Sequence, residues 1–130
     1  YYLSDRETRL TYTPGTHARA HMDARIAFLL TELEVTLWMR SRHTYVMPEK
    51  LRHPEIFPLL DTDFRHANKK FDTLLVDADF FGGDSFTIAD IIATHCLFWA
   101  TDFHEISDKA QSYLDRMKTR PGWTASQKNR

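Results

Sequence analysis

Phe80-Phe81-Gly82-Gly83-Asp84-Ser85-Phe86-Thr87-Ile88-Ala89-Asp90-Ile91-Ile92 is the stretch whose reading decides the fold. Gly82-Gly83 turns the chain out of one apolar segment. Thr87 and Asp90 then stand at i and i+3, so each side chain can satisfy the other's unpaired backbone N–H at a helix start. Phe86 before the cap and Ile91 one turn inside can close as a hydrophobic staple. The Asp90 carboxylate also sits in the positive field of the helix N-terminus. A helix therefore opens at Ile88, with Thr87 and Asp90 as its structural cap. The segment it opens is apolar nearly all round through Ile91, Ile92, Ala93, Cys96, Leu97, Phe98 and Trp99. Such a helix, running to about Phe103, belongs at the centre of a core.

Working outward, the neighbouring segments read as helices that surround this one. Tyr1–Arg9 reads as the end of a helix, followed by a linker through Pro14-Gly15. A first long helix is expected from near Thr16 to about His43. Its apolar positions Met22, Ile26, Leu29, Leu30, Leu33 and Leu37 are spaced by three and four. A second set, Ala20, Ala24, Ala27, Val35 and Trp38, lies off that stripe and predicts a second neighbour. Tyr45–Arg52 reads as a loop broken by Pro48. Another long helix starts around Pro54, where proline suits the first turn. It buries Ile56, Leu60, Phe64, Ala67, Phe71 and Leu74 and ends by Asp79. A fourth covers roughly Asp108–Thr119, capped by Ser107, with Ala110, Tyr113, Leu114 and Met117 inward. Pro121 stops it and seeds a short last turn around Trp123. The sequence shows no repeat, low-complexity tract or convincing strand.

Composition agrees with one all-α domain. The chain has 130 residues, 42% hydrophobic and 27% charged, with four glycines, enough for a sizeable core. A formal net charge of −1 supplies no global field for nucleic acid or an anionic membrane. No apolar run approaches membrane-spanning length and no signal peptide is visible. The single cysteine, Cys96, has no partner for an internal disulfide, which fits a reducing, cytoplasmic compartment. The chain begins at Tyr1, and a fragment is expected.

Isolated chemical signals are weak. His17 and His21 stand at i, i+4, a spacing that can hold a metal, but no third ligand is near, so no metal is expected. His95 and Cys96 are helix neighbours that point apart, not a base and nucleophile. No Ser-His-Asp spacing and no nucleotide fingerprint appears. Gly82-Gly83 follows no strand and cradles no phosphate. Arg40, Arg42, His43, Lys50, Arg52 and His53 flank a loop, where cations suit a helix C-terminus. From spacing alone, Asp23 is an i, i+4 surface partner of Arg19.

Taken together and in order, several motifs resemble the all-helical C-terminal domain of bacterial-type cytosolic glutathione S-transferases. Tyr2-Leu3-Ser4-Asp5-Arg6 resembles the Tyr-Leu-x-x-Arg end of that family's inter-domain helix. Arg19-Ala20-His21-Met22-Asp23 is similar to its Arg-Ala-x-Val-Asp opening. Thr31-Glu32-Leu33 resembles the Thr-Glu-Leu of bacterial members. Gly83-Asp84-x-Phe86-Thr87-x-Ala89-Asp90-Ile91 resembles the capped core helix. Tyr113-Leu114-Asp115-Arg116-Met117 with Arg120-Pro121 resembles the closing Tyr-Leu-x-Arg and Arg-Pro. The match is collinear over nearly the whole chain. Glu34 departs from the beta-type pattern, which carries His after Thr-Glu-Leu.

The resemblance implies a bundle of four main helices plus short terminal ones. Residues 1–13 would be the end of the inter-domain helix and linker, and 14–130 the helical domain. A thioredoxin-like N-terminal domain would bind glutathione and activate its thiol; this sequence holds no such domain, so it would have no catalytic residue of its own. It implies glutathione as co-substrate, a small hydrophobic electrophile, a homodimer and a detoxification role. Asp23 matches the acidic position that reaches the glutathione amine across the dimer. Ala27, Leu30, Glu34 and Trp38 fall on one helix face and would line the electrophile pocket. Two alternatives share the fold: a non-catalytic protein-docking module, and a glutathione-dependent reductase or dehalogenase.

Overall fold

A computed structural model describes residues 1–75 and 78–128. The expected end of the second long helix falls partly on residues 76–77, and the expected domain end on 129–130, outside the described residues. The described residues are helical: α1 (Tyr2–Glu7), α2 (His17–Phe28), α3 (Val35–Ser41), α4 (Phe57–Leu75), α5 (Ile88–Ala100), α6 (Asp108–Lys118) and α7 (Pro121–Gln127). Four main columns and two short terminal helices result, as the resemblance implies.

The first column is one continuous helix from His17 to Val46, but it is not regular. Wide π-helical turns occupy Leu29–Glu34, between α2 and α3, and Arg42–Val46, after α3. Each carries a threonine whose hydroxyl donates to a carbonyl four residues back, Thr31 to Ala27 at 2.9 Å and Thr44 to Arg40 at 2.7 Å. Thr62, Thr73 and Thr94 make the same bond inside the regular helices α4 and α5, so the bond accompanies the widening and does not by itself cause it. The widening serves packing. Met22, Ile26, Leu29, Leu33 and Leu37, all 2% exposed or less, are spaced by four, three, four and four. A helix of 3.6 residues per turn would rotate that series off the core. The extra residue taken up at Leu29–Glu34 brings it back.

Three sequence expectations change here. Leu30, placed on the buried stripe, is 47% exposed, because the inward positions of that turn go to Leu29 and Leu33. Ala20, Ala24, Ala27, Val35 and Trp38, expected against a second neighbour, are all exposed. The helix also runs past His43 to Val46, so the loop is shorter than expected, and a tight helical turn at Glu49–Leu51 follows Pro48. Arg52 holds the helix end by donating from Nε to the Met47 carbonyl at 2.8 Å.

Pro54 opens a single tight turn, and α4 follows it directly. Leu60, Phe64, Ala67, Phe71 and Leu75 are buried. Leu75 takes the last inward place expected for Leu74, while Ile56 and Leu74 are half-buried. The Phe71 ring stacks on Phe81 at 4.5 Å and meets the edge of Tyr113 at 5.6 Å.

Helix α5 is the central column. Ala89, Ala93, Cys96, Leu97 and Ala100 are fully buried, and it packs against α2, α3 and the turn between them on one side and α6 on the other. Three alanines let those backbones approach closely. Ser107 caps α6, accepting from the Ala110 N–H at 3.1 Å, and its own hydroxyl donates to Asp72 at 2.7 Å, which ties the start of α6 to α4. Ala110, Tyr113, Leu114 and Met117 face inward as the spacing predicts. Pro121 begins a full seven-residue helix rather than a single turn.

Candidate functional site

The deciding stretch folds around one carboxylate. Asp90 is fully buried. Its Oδ2 accepts from the Thr87 N–H at 2.8 Å and the Thr87 hydroxyl at 3.2 Å. Its Oδ1 accepts from the Phe81 N–H at 2.6 Å and the Tyr113 hydroxyl at 2.8 Å. The Thr87 hydroxyl accepts in turn from the Ala89 N–H at 3.3 Å, which completes the reciprocal cap. Burial, and then the neighbouring Asp90, push the Tyr113 hydroxyl well above the ordinary phenol range. Gly82 is needed because a Cβ there would stand 2.0 Å from the Thr87 hydroxyl oxygen and 3.3 Å from an Asp90 oxygen. The expected staple is different in detail. Phe86 packs edge-on to Phe80 and takes the Arg120 guanidinium on its face at 3.7 Å, while Ile91 stays 48% exposed. Asp90 is thus structural, and it binds the 80–87 segment, α5 and α6 into one unit.

Asp23 sits in a second polar cluster at the start of the long helix. Arg19 Nε donates to both Asp23 oxygens, at 2.8 and 3.0 Å. The other end of the guanidinium grips both oxygens of Asp5 on α1, at 2.6 and 3.1 Å. Arg19 also donates to the Tyr12 carbonyl at 3.3 Å. The Arg19 side chain is 11% exposed and that of Asp23 43%. Hydrogen bonds from Arg19 hold the Asp5 carboxyl below its usual range. Burial, and then a hydrogen bond to Asp23, raise the Tyr1 hydroxyl. So the helix-surface pair that spacing predicts is present, and Arg19 extends it into a bridge between α1 and α2. Nothing in the local pattern marks Asp5, since it is fourteen residues from Arg19.

Ala27, Leu30, Glu34 and Trp38 do lie along one face of the first column, and Ala27, Leu30 and Trp38 are open to solvent. None of them lines any of the three principal hollows. A groove of about 630 Å³ between the first column and α4 carries Glu32, Asp63, His66 and Lys70. A hollow of about 460 Å³ lies between α5 and α7, with Ile91, Met117 and Trp123 in its wall. A smaller one of about 270 Å³ is bounded by Tyr45, Trp99 and Asp102.

Other candidates resolve into structure. Cys96 is fully buried, and burial with the nearby Glu34 charge pushes its thiol up to about 12, so it is no nucleophile at neutral pH. His17 and His21 are exposed. Among the described residues no group of three or more His, Cys, Asp or Glu is placed to hold a metal ion, and no helix is long and apolar enough to cross a membrane. Arg40, His43, Arg52 and His53 of the basic cluster make structural contacts around the helix end. Arg40 pairs with Asp61 at 2.6 Å over the Phe57 ring, and the His53 N–H donates to His43 Nδ1 at 2.9 Å. Arg25 and Arg116, whose contacts no local spacing announces, donate to the Phe81 and Asp79 carbonyls at 2.6 Å each and clamp the segment before α5.

No protein-family model matches this sequence, and no curated protein matches it. Among solved structures the chain is similar to the theta class glutathione S-transferase from the citrus canker pathogen Xanthomonas axonopodis pv. citri. Both the glutathione-bound and apo forms of that protein match with a TM-score of 0.76 and 17% identity. The match covers 95% of this chain and 67% of that one. This chain therefore has the all-α fold of the C-terminal part of a glutathione S-transferase.

Proposed function

We propose that this chain is the electrophile-binding helical half of a glutathione S-transferase-type protein. In it, residues 1–13 end the inter-domain helix and linker and residues 14–130 form the helical domain. A thioredoxin-like domain supplies the glutathione site, and the whole works as a cytoplasmic homodimer in detoxification. The observation that carries the proposal is the face left uncovered on the first column. Ala20, Ala24, Ala27, Leu30 and Trp38 form an apolar strip on an otherwise well-packed bundle, and the half-exposed Asp23 carboxylate stands on the same helix. Apolar strips of this kind mark surfaces that meet a partner or a ligand.

The division of labour follows from the chemistry. Glutathione attacks as its thiolate, and the Cys96 thiol is buried and pushed up to about 12, so activation falls to the thioredoxin-like domain. Asp23, held by Arg19 and the Tyr1 hydroxyl with its side chain still 43% exposed, offers its remaining acceptor edge to an ammonium group, such as the glutathione amine of the partner subunit. Ala27, Leu30, Glu34 and Trp38 offer the apolar wall that binds a hydrophobic electrophile and excludes water.

The test is steady-state kinetics on the protein with its thioredoxin-like domain, varying glutathione and 1-chloro-2,4-dinitrobenzene separately. Asp23→Asn should weaken glutathione binding by about 1.5–3 kcal/mol, the range for a hydrogen bond to a charged group. The KM for the electrophile should barely move. Leu30→Ala and Trp38→Ala should do the reverse. An unchanged KM for glutathione in Asp23→Asn would reduce Asp23 to its bridge with Arg19. Absence of any conjugation, with folding intact, would favour the docking-module alternative.

A further inference from the structure

The crossover from the first column to α4 is closed by a bond that one proton can break. No residue from 44 to 59 is buried, so apolar packing does little to hold this segment, and it belongs with those that open locally. The loop is nonetheless folded on itself. The Met47 N–H donates to the Arg42 carbonyl at 2.9 Å, the Leu51 N–H to the Pro48 carbonyl at 2.8 Å, and Arg52 Nε to the Met47 carbonyl at 2.8 Å. None of these groups titrates near neutral pH. The neck of the loop is different. His53, where the chain returns, donates its N–H to Nδ1 of His43 at 2.9 Å, ten residues back. His43 is buried at the end of the first column.

A ring nitrogen that accepts a hydrogen bond carries no proton, so His43 keeps its single ring proton on Nε2. A second proton, on Nδ1, turns that acceptor into a donor and sets two N–H groups against each other. The charged groups around the neck do not prevent this. The His53 ring stands edge-on to the His43 ring at 5.7 Å, and its own Nδ1 lies 2.8 Å from Glu55. A protonated His53 is thus offset by Glu55. One turn before His43, Arg40 pairs with Asp61 at 2.6 Å, and His104 lies 3.7 Å from the same carboxylate. Arg42 turns toward the Met47 sulfur at 3.8 Å, and Glu49 and Lys50 are exposed. We propose that the His43–His53 contact is an acid-released latch: the neutral His43 ring pins the loop to the end of the first column, and protonation at Nδ1 frees the loop while the bundle stays folded. The direction follows from linkage. The closed loop excludes a proton from Nδ1, and the open loop accepts one at about pH 6.5, as a free histidine does. Opening is therefore favoured as pH falls below about 6.5, by up to about tenfold per pH unit. The inference stands on the loop alone and does not rest on the transferase reading.

Amide hydrogen exchange of the 130-residue chain, read by NMR and corrected for the intrinsic exchange rate, tests the latch. Between pH 7.5 and 5.5 the His53 amide should lose about tenfold in protection. The Leu97 amide, inside the buried α5, should stay far better protected at both pH values, which marks the opening as local. In the same samples the nitrogen shift of His43 Nδ1 should report uptake of its proton over the same range. His43→Asn places a non-titrating oxygen near the position of Nδ1, and it should keep the protection and lose its pH dependence. His53→Gln removes the other ring of the neck but keeps the backbone N–H, and it should leave the pH dependence in place. The proposal is overturned if the wild-type His53 amide is equally protected at both pH values, or if the dependence survives His43→Asn. It is equally overturned if the dependence disappears in His53→Gln, which would assign it to the His53–Glu55 pair. Where His43→Asn loses protection at both pH values, the wild-type titration decides: a His43 ring that gains its proton with no loss of His53 protection refutes the latch, and coincident changes support it.

Discussion

Replacing Asp90 by alanine should cost far more than removing an ordinary helix cap. A cap substitution costs about 0.5–2 kcal/mol. Here the lost carboxylate serves four donors: the N–H groups of Phe81 and Thr87 and the hydroxyls of Thr87 and Tyr113. Asp90 is fully buried, as are Phe81, Thr87 and Tyr113 to within 1%, so water has little access to the stranded groups. A buried donor left without an acceptor costs about 1–3 kcal/mol. The Thr87 hydroxyl can rotate to another acceptor, which leaves three donors to count. Allowing for partial relaxation, Asp90→Ala should lose about 3–5 kcal/mol, the loss typical of breaking a buried charged network. That is a large share of the roughly 5–15 kcal/mol that holds a domain of ordinary stability. Thr87→Ala, which leaves the carboxylate and its other donors in place, should cost about 0.5–2 kcal/mol. Tyr113→Phe should cost about 1–2 kcal/mol, since Asp90 keeps its remaining bonds. The two losses should not add. In Asp90→Ala the Tyr113 hydroxyl is already stranded, and its removal relieves a penalty, so the double variant should be less damaged than the sum. Urea midpoints with a shared slope measure all four proteins. A loss below about 2 kcal/mol for Asp90→Ala, additive with Tyr113→Phe, would show that Asp90 is a cap and nothing more.

Two further outcomes follow from buried titratable groups. Cys96, with its thiol pushed up to about 12 by burial and then by Glu34, should resist a disulfide reagent at pH 8 in the native chain and react fully on unfolding in urea; equal rates in both states would contradict its burial. His104 is stacked on Phe64 at 4.1 Å, and its pKa lies below the ordinary histidine value through burial, with Arg40 adding to the effect and Asp61 opposing it. Its Nε2 is buried without a hydrogen-bond partner. The folded state therefore resists protonation while the unfolded chain takes up a proton below about pH 6.5. Stability should fall as pH drops from about 6.5 through the lowered value, by at most about 1.4 kcal/mol per pH unit from this group. His104→Phe should lose that part of the slope, and equal acid losses in both proteins, measured by urea midpoints at pH 7.5 and 5.5, would refute it.

The signals legible in the sequence are those carried by atoms close along the chain. The reciprocal cap of Thr87 and Asp90 spans three residues, Ser107 caps its helix over the same distance, and the pair Arg19–Asp23 spans four. One helical turn brings such groups together whatever else the fold does. The all-round apolar character of α5 likewise fixes that it is central, because no orientation would leave it a polar face. Spacing also identified the inward face of α6. Tertiary structure alone decided the rest. Leu29 and Leu30 are equally apolar, and only the packing of α4 and α5 on the first column selects Leu29 for the core and leaves Leu30 outside. The wide turns arise from the same demand, since an uneven run of leucines must stay aimed at one neighbour. Asp90 reaches the Phe81 N–H nine residues away and the Tyr113 hydroxyl 23 away, and Arg19 bridges to Asp5 on another helix. Such partners are chosen by where whole helices come to rest, so no periodicity announces them. The hollow beside Arg120 belongs to the same class: its wall comes from the linker, α5, α6 and α7, and it exists only once the apolar faces of those segments have found one another.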